Sequence, residues 1–416
     1  MRQRGNIARF FLTAVLVALT GMSLSANGLN LNGVGSKAIA MGGAFIGQAD
    51  DYSAIFWNPA GLTQMKNSTL SFFVTDLIPS GTYKLSPYGI DAKTKTAMYP
   101  SGSVGYFKPL NDKLLIGLAA YVPSGTGAKW DGEDLKPLSN NLAFKWESFM
   151  AVITVSPVVA YKVSDQFSLG ATLNLNYGMM KIDRPGVGQY SEDLSGFAFG
   201  ATIGALFKPI DKLGIGLTLR TPTKVKFSGD AEMASAQLYS LSTTSGAKRE
   251  ATWPMWIGFG LSFKATDKLT VNADAQYTNW KQIDTIAITY DNALWQAMKA
   301  HPALSKAFNN DFVLNWKNAV QWRFGLEYAI SEKLAMRAGY YYDPSPSPVD
   351  TLNVLLPEIT YNVATVGVGY KTEKIAFDFC MEVLMGKDVD SPLTGRMPGT
   401  HGMSILVPNI AFTYHF

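Results

Sequence analysis

Charge is scarce in this sequence: Asp, Glu, Lys and Arg make up only 16% of its 416 residues, against about 25% in soluble domains. A surface so poor in charge must face something other than water over much of its area. Cysteine is nearly absent, and the single Cys380 excludes an internal disulfide and any multi-cysteine metal site, so it reads as a small residue within a strand. Histidine occurs three times, at His301, His401 and His415, with no metal-ligand spacing and no nucleophile–base grouping. No metal, cofactor or enzymatic activity is therefore expected. Lys and Arg alternate with acidic residues to a formal net charge of +4. Without a basic run of the kind that tracks phosphates, a nucleic-acid partner is not expected either. Beyond residue 26 no stretch offers the roughly 18 unbroken apolar residues of a membrane helix. A chain that avoids charge yet has no such helix can span a bilayer only as a closed β-barrel.

What the sequence does contain begins with a leader. Arg2, Arg4 and Arg9 precede the apolar run Phe10 to Leu19, and the small residues Ser23, Ser25 and Ala26 follow. This is the pattern of a secretory signal peptide over residues 1–26, with cleavage expected after Ser25 or after Ala26.

The body of the chain is then punctuated by a recurring short polar turn. It appears at Lys108-Pro-Leu-Asn-Asp-Lys113, Val163-Ser-Asp-Gln166, Lys208-Pro-Ile-Asp-Lys212, Lys264-Ala-Thr-Asp-Lys268, Ile330-Ser-Glu-Lys333 and Lys371-Thr-Glu-Lys374. Between these turns lie longer connections rich in Gly, Pro, Asn, Ser and Asp, over 80–100, 124–146, 184–195, 230–249, 291–316, 344–359 and 388–402. Short and long connections alternate, which predicts about 14 antiparallel strands over 68–416, an even number as in bacterial single-chain barrels. Short turns at one rim and long loops at the other are the outer-membrane arrangement, with the short turns periplasmic.

Period-two alternation sorts the strands into two faces. Leu169, Ala171, Leu173, Leu175 and Tyr177 point one way while Thr172, Asn174 and Asn176 point the other. Val320, Trp322, Phe324, Leu326 and Tyr328 stand opposite Gln321, Arg323 and Glu327 in the same manner. Alternation alone does not separate a barrel with its apolar face outward from a soluble sandwich with its apolar face inward. The leader, the loop asymmetry and the chain end favour the barrel. The last strand sets Ile410, Phe412, Tyr414 and Phe416 on one face and stops at the aromatic residue.

Residues 27–67 do not read as strands. About 40 exported residues, too apolar for a solvated tail and placed ahead of a barrel, are expected to fold inside it as a plug. Here the chain resembles the FadL/TodX family of outer-membrane transporters of long-chain fatty acids and hydrocarbons. The resemblance is carried by Gly42-Gly43-Ala44-Phe45, Ala49-Asp50-Asp51 and above all Asn58-Pro59-Ala60. It continues through Trp253-Pro254-Met255, Tyr277 to Trp280, Asp343-Pro344-Ser345-Pro346 and the final strand. It implies an all-β membrane protein, a 14-stranded antiparallel transmembrane β-barrel filled by a small N-terminal hatch that contains the Asn-Pro-Ala motif.

The same resemblance implies passive uptake of a hydrophobic small molecule across the outer membrane of a Gram-negative bacterium. Capture would occur at external loops, binding in the lumen, and release sideways into membrane lipid. It also implies a monomer whose terminal strand is read by the barrel-assembly machinery. Asp50, Asp51, Asn58, Pro59 and Ala60 are the hatch candidates, although Asp and Asn beside Pro are also common turn formers. Tyr121, Pro123, Gly125 and Gly127 are candidates for an inward kink that opens the wall, because proline removes a ladder donor there and the glycines permit bends. Ordinary loop entry remains the alternative. Leu29, Leu31, Arg323 and Arg337 are candidate ligand contacts, the arginines for a carboxylate. Trp295, Met298, Leu238 and Leu241 either form an external apolar groove or pack among themselves. A general porin for polar solutes and an adhesive barrel remain as rival functions.

Overall fold

The computed structural model describes residues 28–31 and 33–416, so the leader over 1–26 and its two cleavage positions lie outside the described residues. The first wall strand follows a buried segment. From there fourteen antiparallel strands succeed one another in chain order. They are β1 Thr69–Leu85, β2 Tyr99–Pro109, β3 Leu114–Trp130, β4 Trp146–Lys162, β5 Phe167–Pro185, β6 Gln189–Ile210, β7 Leu213–Arg220 resumed over Thr223–Glu232, β8 Thr244–Trp253 resumed over Trp256–Lys264, β9 Leu269–Thr278, β10 Ala319–Ala329, β11 Leu334–Asp343, β12 Tyr361–Lys371, β13 Ile375–Gly386 and β14 Gly399–His415. β1 pairs with β2 on one side and with β14 on the other, in the register Thr69↔His415 and Tyr83↔His401. Closure leaves the sheet no free edge, which is what a bilayer demands of strands.

The alternation resolves as expected. Leu173, Phe259, Leu326, Val366 and Phe412 are exposed on the outer face, while Thr172, Asn174, Asn176, Gln321 and Arg323 are buried inside. A continuous outward belt of large apolar side chains is a surface for lipid, not for water. Among the described residues no helix is long and apolar enough to cross a membrane.

The strands run farther outward than the alternation predicts. β3 continues to Trp130, where the sequence suggests a loop from 124, and β5 turns into β6 with only 186–188 between them. Past the apolar belt the alternation reverses its sense: Ala128, Trp130, Met180 and Ile182 face a buried apolar core while Lys129 and Lys181 face outward. Such stretches look like loop to a reading that expects apolar side chains outside, while the backbone ladder, which depends only on N–H and C=O groups, goes on.

Two segments fill the barrel. Ahead of β1 lie α1 Ser36–Ala40, α2 Ala54–Trp57 and a 3-10 turn over Pro59–Gln64. Ala38, Ile39, Met41, Phe45, Ile46, Ile55 and Trp57 from this hatch are buried. Inward-facing glycines let its backbone touch the wall: a Cβ at Gly216 would lie 2.0 Å from the Ile46 carbonyl oxygen, and one at Gly339 would lie 2.0 Å from the Gly42 nitrogen. The second filler is unexpected from sequence. The 344–360 connection turns inward and buries Leu352, Val354, Leu355, Leu356 and Ile359. Trp130 Nε1 donates to the Val354 carbonyl at 2.7 Å and Ser148 Oγ donates to that of Leu355.

The long connection between β9 and β10 carries α3 Ala293–Met298 and α4 Ser305–Phe308. Trp295 is wholly buried, donates to the Ser242 carbonyl at 2.8 Å and meets the rings of Tyr290 and Phe308 edge-on. Met298 and Leu241 pack against the same core, leaving Leu238 outside. The external groove is thus replaced by self-packing of the loops, since the apolar side of α3 has a neighbouring loop to cover it.

Candidate functional site

Asn58 is the knot that ties the hatch together and to the wall. Fully buried, its Nδ2 donates to the Ile46 carbonyl at 2.9 Å and to that of Ala205 on β6 at 3.0 Å, while its Oδ1 accepts from Ala60 N–H at 3.2 Å. The last bond caps the 3-10 turn, where Pro59 occupies the first position and has no N–H to satisfy. Ala60 needs to be small because it is packed with no exposure against the wall.

Three of the lumenal charges serve the hatch backbone. Asp274 on β9 accepts from Phe45 N–H at 2.7 Å and Ile46 N–H at 2.8 Å. Arg220 donates to the Phe56 carbonyl at 3.0 Å and lies over the rings of Phe56 and Trp256. Arg323 donates to the Gly42 carbonyl at 2.9 Å and lies between Trp57 and Tyr341. Alternation puts Arg323 on the inward face, but nothing in the sequence shows that the partners of Asp274, Arg220 and Arg323 are backbone groups of a distant segment.

A second cluster closes the short-turn side. Lys37 of α1 binds Asp50 at 2.8 Å and lies 3.8 Å from Glu327, while Arg337 bridges Glu327 and Asp378 at 2.6 Å each. Burial opposes the charge of Lys37, but Asp50 and Glu327 outweigh it and raise the ammonium above its ordinary range. Burial, with the adjacent Asp50 charge, pushes the Asp51 carboxyl up to about 6, against the bonds it accepts from Ser53. The cluster faces an open cavity of about 460 Å³ at the short-turn rim. Arg337, a candidate ligand contact from sequence, is therefore committed to two carboxylates and stands apart from Arg323.

The kink candidates do come together. Tyr121 is level with Thr154 but Ser124 with Val152, so β3 holds one more residue than β4 across Val122-Pro123. The β2–β3 ladder stops at Ser103↔Tyr121, and contact on that side resumes only where Lys95 N–H meets the Lys129 carbonyl at 2.7 Å. Between those levels the wall has a gap. The chain's first described residues dock behind it: Leu31 N–H donates to the Pro123 carbonyl at 3.1 Å, and Ser124 Oγ donates to that of Leu29. A cavity of about 70 Å³ lies at this gap, lined by Leu31, Leu77, Gly125, Gly127, Glu358 and Leu384. Asn30 and Leu31 also border a narrow space of about 10 Å³ that reaches Arg220 and Arg323. Burial pushes the Glu358 carboxyl well above its usual range, and the Asp343 charge adds to the effect.

Among the described residues no cluster of His, Cys, Asp and Glu could hold a metal ion. His415 meets Thr69 Oγ1 at 3.0 Å at the barrel seam, and His401 stacks on Tyr83.

Comparison with known proteins bears on this architecture. A family model described as outer membrane protein transport protein (OMPP1/FadL/TodX) matches residues 17–396. A putative outer membrane protein of Neisseria meningitidis serogroup B is 24% identical over 378 residues, covering 79% of each chain. A long-chain fatty acid transport protein of Escherichia coli O6:H1 is 23% identical over 429 residues, covering 90% of this chain and 91% of its own. The crystal structure of a Pseudomonas aeruginosa FadL homologue superposes with a TM-score of 0.77 at 18% identity, over 94% of this chain and all of that one. At that identity the superposition speaks for the fold.

Proposed function

The chain belongs to the outer membrane transport protein family (OMPP1/FadL/TodX), and from that premise we propose that it passively takes up a hydrophobic small molecule, a long-chain fatty acid or a hydrocarbon, and releases it sideways into the membrane. The observation that carries this reading is the meeting of the inner cavity with the gap at Gly125 and Gly127, above a hatch held shut by Asn58 and the Lys37 cluster. An apolar molecule that leaves through such a gap passes from protein to lipid without crossing water. Leu29 and Leu31 would move aside or line the path, and the hatch would stay closed. No energy-coupling device is needed for movement down a gradient into lipid. The name of the Escherichia coli relative supports fatty acids as one ligand class. We also read the chain as a monomer whose terminal strand, with Phe412, Tyr414 and Phe416 on its outer face, is recognised by the barrel-assembly machinery.

Gly125→Trp tests the path. A Cβ there meets nothing closer than Leu31 Cδ2 at 3.6 Å, so the new side chain starts toward the docked Leu31 and is meant to fill the gap. Uptake of labelled fatty acid and labelled alkane by cells expressing the variant is expected to fall at least tenfold, with the barrel still folded. Undiminished uptake of both would refute lateral release. A large steady conductance of the wild-type chain in planar bilayers would instead point to an open porin.

A further inference from the structure

The cavity at the gap is lined by two carboxyl groups and, among the described residues, by no cation. Asp343 and Glu358 are its charged side chains, set among Leu31, Leu77, Leu384 and Ile405. Asp343 accepts from Gln321 Nε2. Glu358 is 6% exposed, and its carboxyl has no hydrogen-bond or ion-pair partner among the described residues. The backbone that presents it is pinned. Ser345 Oγ donates to the Glu358 carbonyl at 2.6 Å, Ser345 N–H donates to Thr360 Oγ1 at 3.1 Å, and Ile359 is buried. The place of this acid is therefore built into the root of the inturned 344–360 segment. The lumenal arginines are engaged elsewhere: Arg323 donates to the Gly42 carbonyl and to Gln321 Oε1 at 3.0 Å, Arg220 donates to the Phe56 carbonyl, and Arg337 binds Glu327 and Asp378.

A buried carboxyl without a cation beside it holds its proton, and then offers one O–H donor next to a carbonyl acceptor. That pair of groups matches a hydroxyl, which donates and accepts in turn. A carboxylate would bring further negative charge beside Asp343 in an apolar enclosure, where like charges repel most strongly. An ammonium needs several acceptors at once, and Asp343 is already shared with Gln321. At about 70 Å³ the space is well below the ~300–1,000 Å³ of pockets that enclose a whole ligand, so it receives one end of a molecule. We propose that this cavity is a head-group site for an uncharged, hydroxyl-bearing hydrocarbon, a long-chain alcohol or a phenol. Glu358 exchanges hydrogen bonds with the hydroxyl, the apolar body passes Leu31 toward the gap, and Asp343 with Glu358 turns a carboxylate back. A fatty acid fits there in its protonated form. The assignment rests on the uptake reading above and narrows its ligand. A neutral hydrogen bond holds the head and yields when the molecule leaves into lipid.

The test is calorimetric binding to the full chain in nanodiscs at pH 7.5, with empty nanodiscs subtracted and dodecanol, dodecane, dodecanoate and dodecylamine as probes. Glu358→Leu puts an apolar side chain in an apolar cavity and is expected to lower the ratio of dodecanol to dodecane affinity at least tenfold. Glu358→Gln keeps a donor and an acceptor and should hold that ratio within threefold. Asp343→Asn/Glu358→Gln is expected to strengthen dodecanoate at least fivefold. An unchanged ratio in Glu358→Leu, or an equal fall in Glu358→Gln, overturns the head-group site while uptake of hydrophobes stands. Dodecanoate binding that is unchanged in the double variant overturns the rejection of anions. Dodecylamine that binds the wild type more tightly than dodecanol, and loses at least tenfold in Glu358→Gln, overturns the uncharged head. A wild-type chain that binds none of the four probes fails the uptake reading itself.

Discussion

Replacing Asn58 by alanine removes three hydrogen bonds at one stroke, and the structure shows where each loss falls. The carbonyls of Ile46 and Ala205 lose their shared donor, and Ala60 N–H loses its acceptor. Each such bond contributes about 0.5–1.5 kcal/mol net, and each buried group left unpaired costs about 1–3 kcal/mol. The carbonyls can keep other bonds through their second lone pairs, so the lower part of that range applies, and roughly 2–4 kcal/mol is the expected loss. Asn58, Pro59 and Ala60 are all buried, so the freed groups lie away from bulk solvent.

The loss should be local. The β1–β14 seam and the other wall ladders do not involve Asn58, so the hatch loosens while the barrel persists. Hydrogen exchange followed by mass spectrometry separates the two. Peptides covering 42–64 are expected to exchange roughly 30- to 900-fold faster, the factor that corresponds to about 2–4 kcal/mol, with wall peptides unchanged. Asn58→Asp should be worse, since a carboxylate would face two carbonyl oxygens. Hatch exchange within threefold of wild type in both variants would refute the account of Asn58 as the knot.

Further outcomes follow from the same geometry. Gly216→Ala places a methyl 2.0 Å from the Ile46 carbonyl, so the hatch must shift. A cost of about 1–3 kcal/mol is expected, visible as faster hatch exchange with β7 still paired. Asp51 supplies a pH dependence: its carboxyl titrates at about 6 when docked against an ordinary 3.8, so the docked state binds the proton more tightly and hatch stability falls as pH rises from about 4 to 6. Asp50, shifted downward by Lys37 against the effect of burial, contributes stability that is lost only below its ordinary range, outside that window. Hatch exchange corrected for intrinsic rate should be slower at pH 5 than at pH 7.5 in the wild type, and Asp51→Asn should flatten the difference. Between strands, Arg249→Ala on β8 strands Glu192 of β6 in a fully buried site and should cost about 3–5 kcal/mol, whereas Arg249→Met with Glu192→Leu should recover most of it. Thermal melts of the two variants decide the point.

Much of the barrel was legible because it obeys a period. Leu169 to Tyr177 and Val320 to Tyr328 alternate as a strand must when one face meets lipid and the other a packed polar lumen. The Lys-flanked turns mark where each strand reverses. Those signals are local, and a linear reading recovers them. Asn58-Pro59-Ala60 was legible for another reason, because a turn with a capping amide and a proline has a fixed chemistry wherever it occurs. Pro123, Gly125 and Gly127 suggest either a bend or a loop entry, and the structure puts one extra residue between Tyr121 and Ser124 within β3.

Contacts between distant segments were not legible. That Asp274 receives the amides of Phe45 and Ile46, and that Arg323 serves Gly42 while Arg337 is held by Glu327 and Asp378, depend on which inward side chains the closed wall places at the same height, and that Trp295 lies buried against Ser242 depends on which connections meet. The inward course of 344–360 is the clearest case. Its leucines look like those of any apolar loop, and only the enclosure of the barrel mouth around them makes the lumen a better place than solvent. The sequence by itself determined the strand count and the two faces, because these follow from alternation and turn chemistry within a few residues. The tertiary structure alone decided which charges are spent and which remain free. A guanidinium's partner is chosen by three-dimensional proximity in a low-dielectric interior, and no spacing along the chain encodes it.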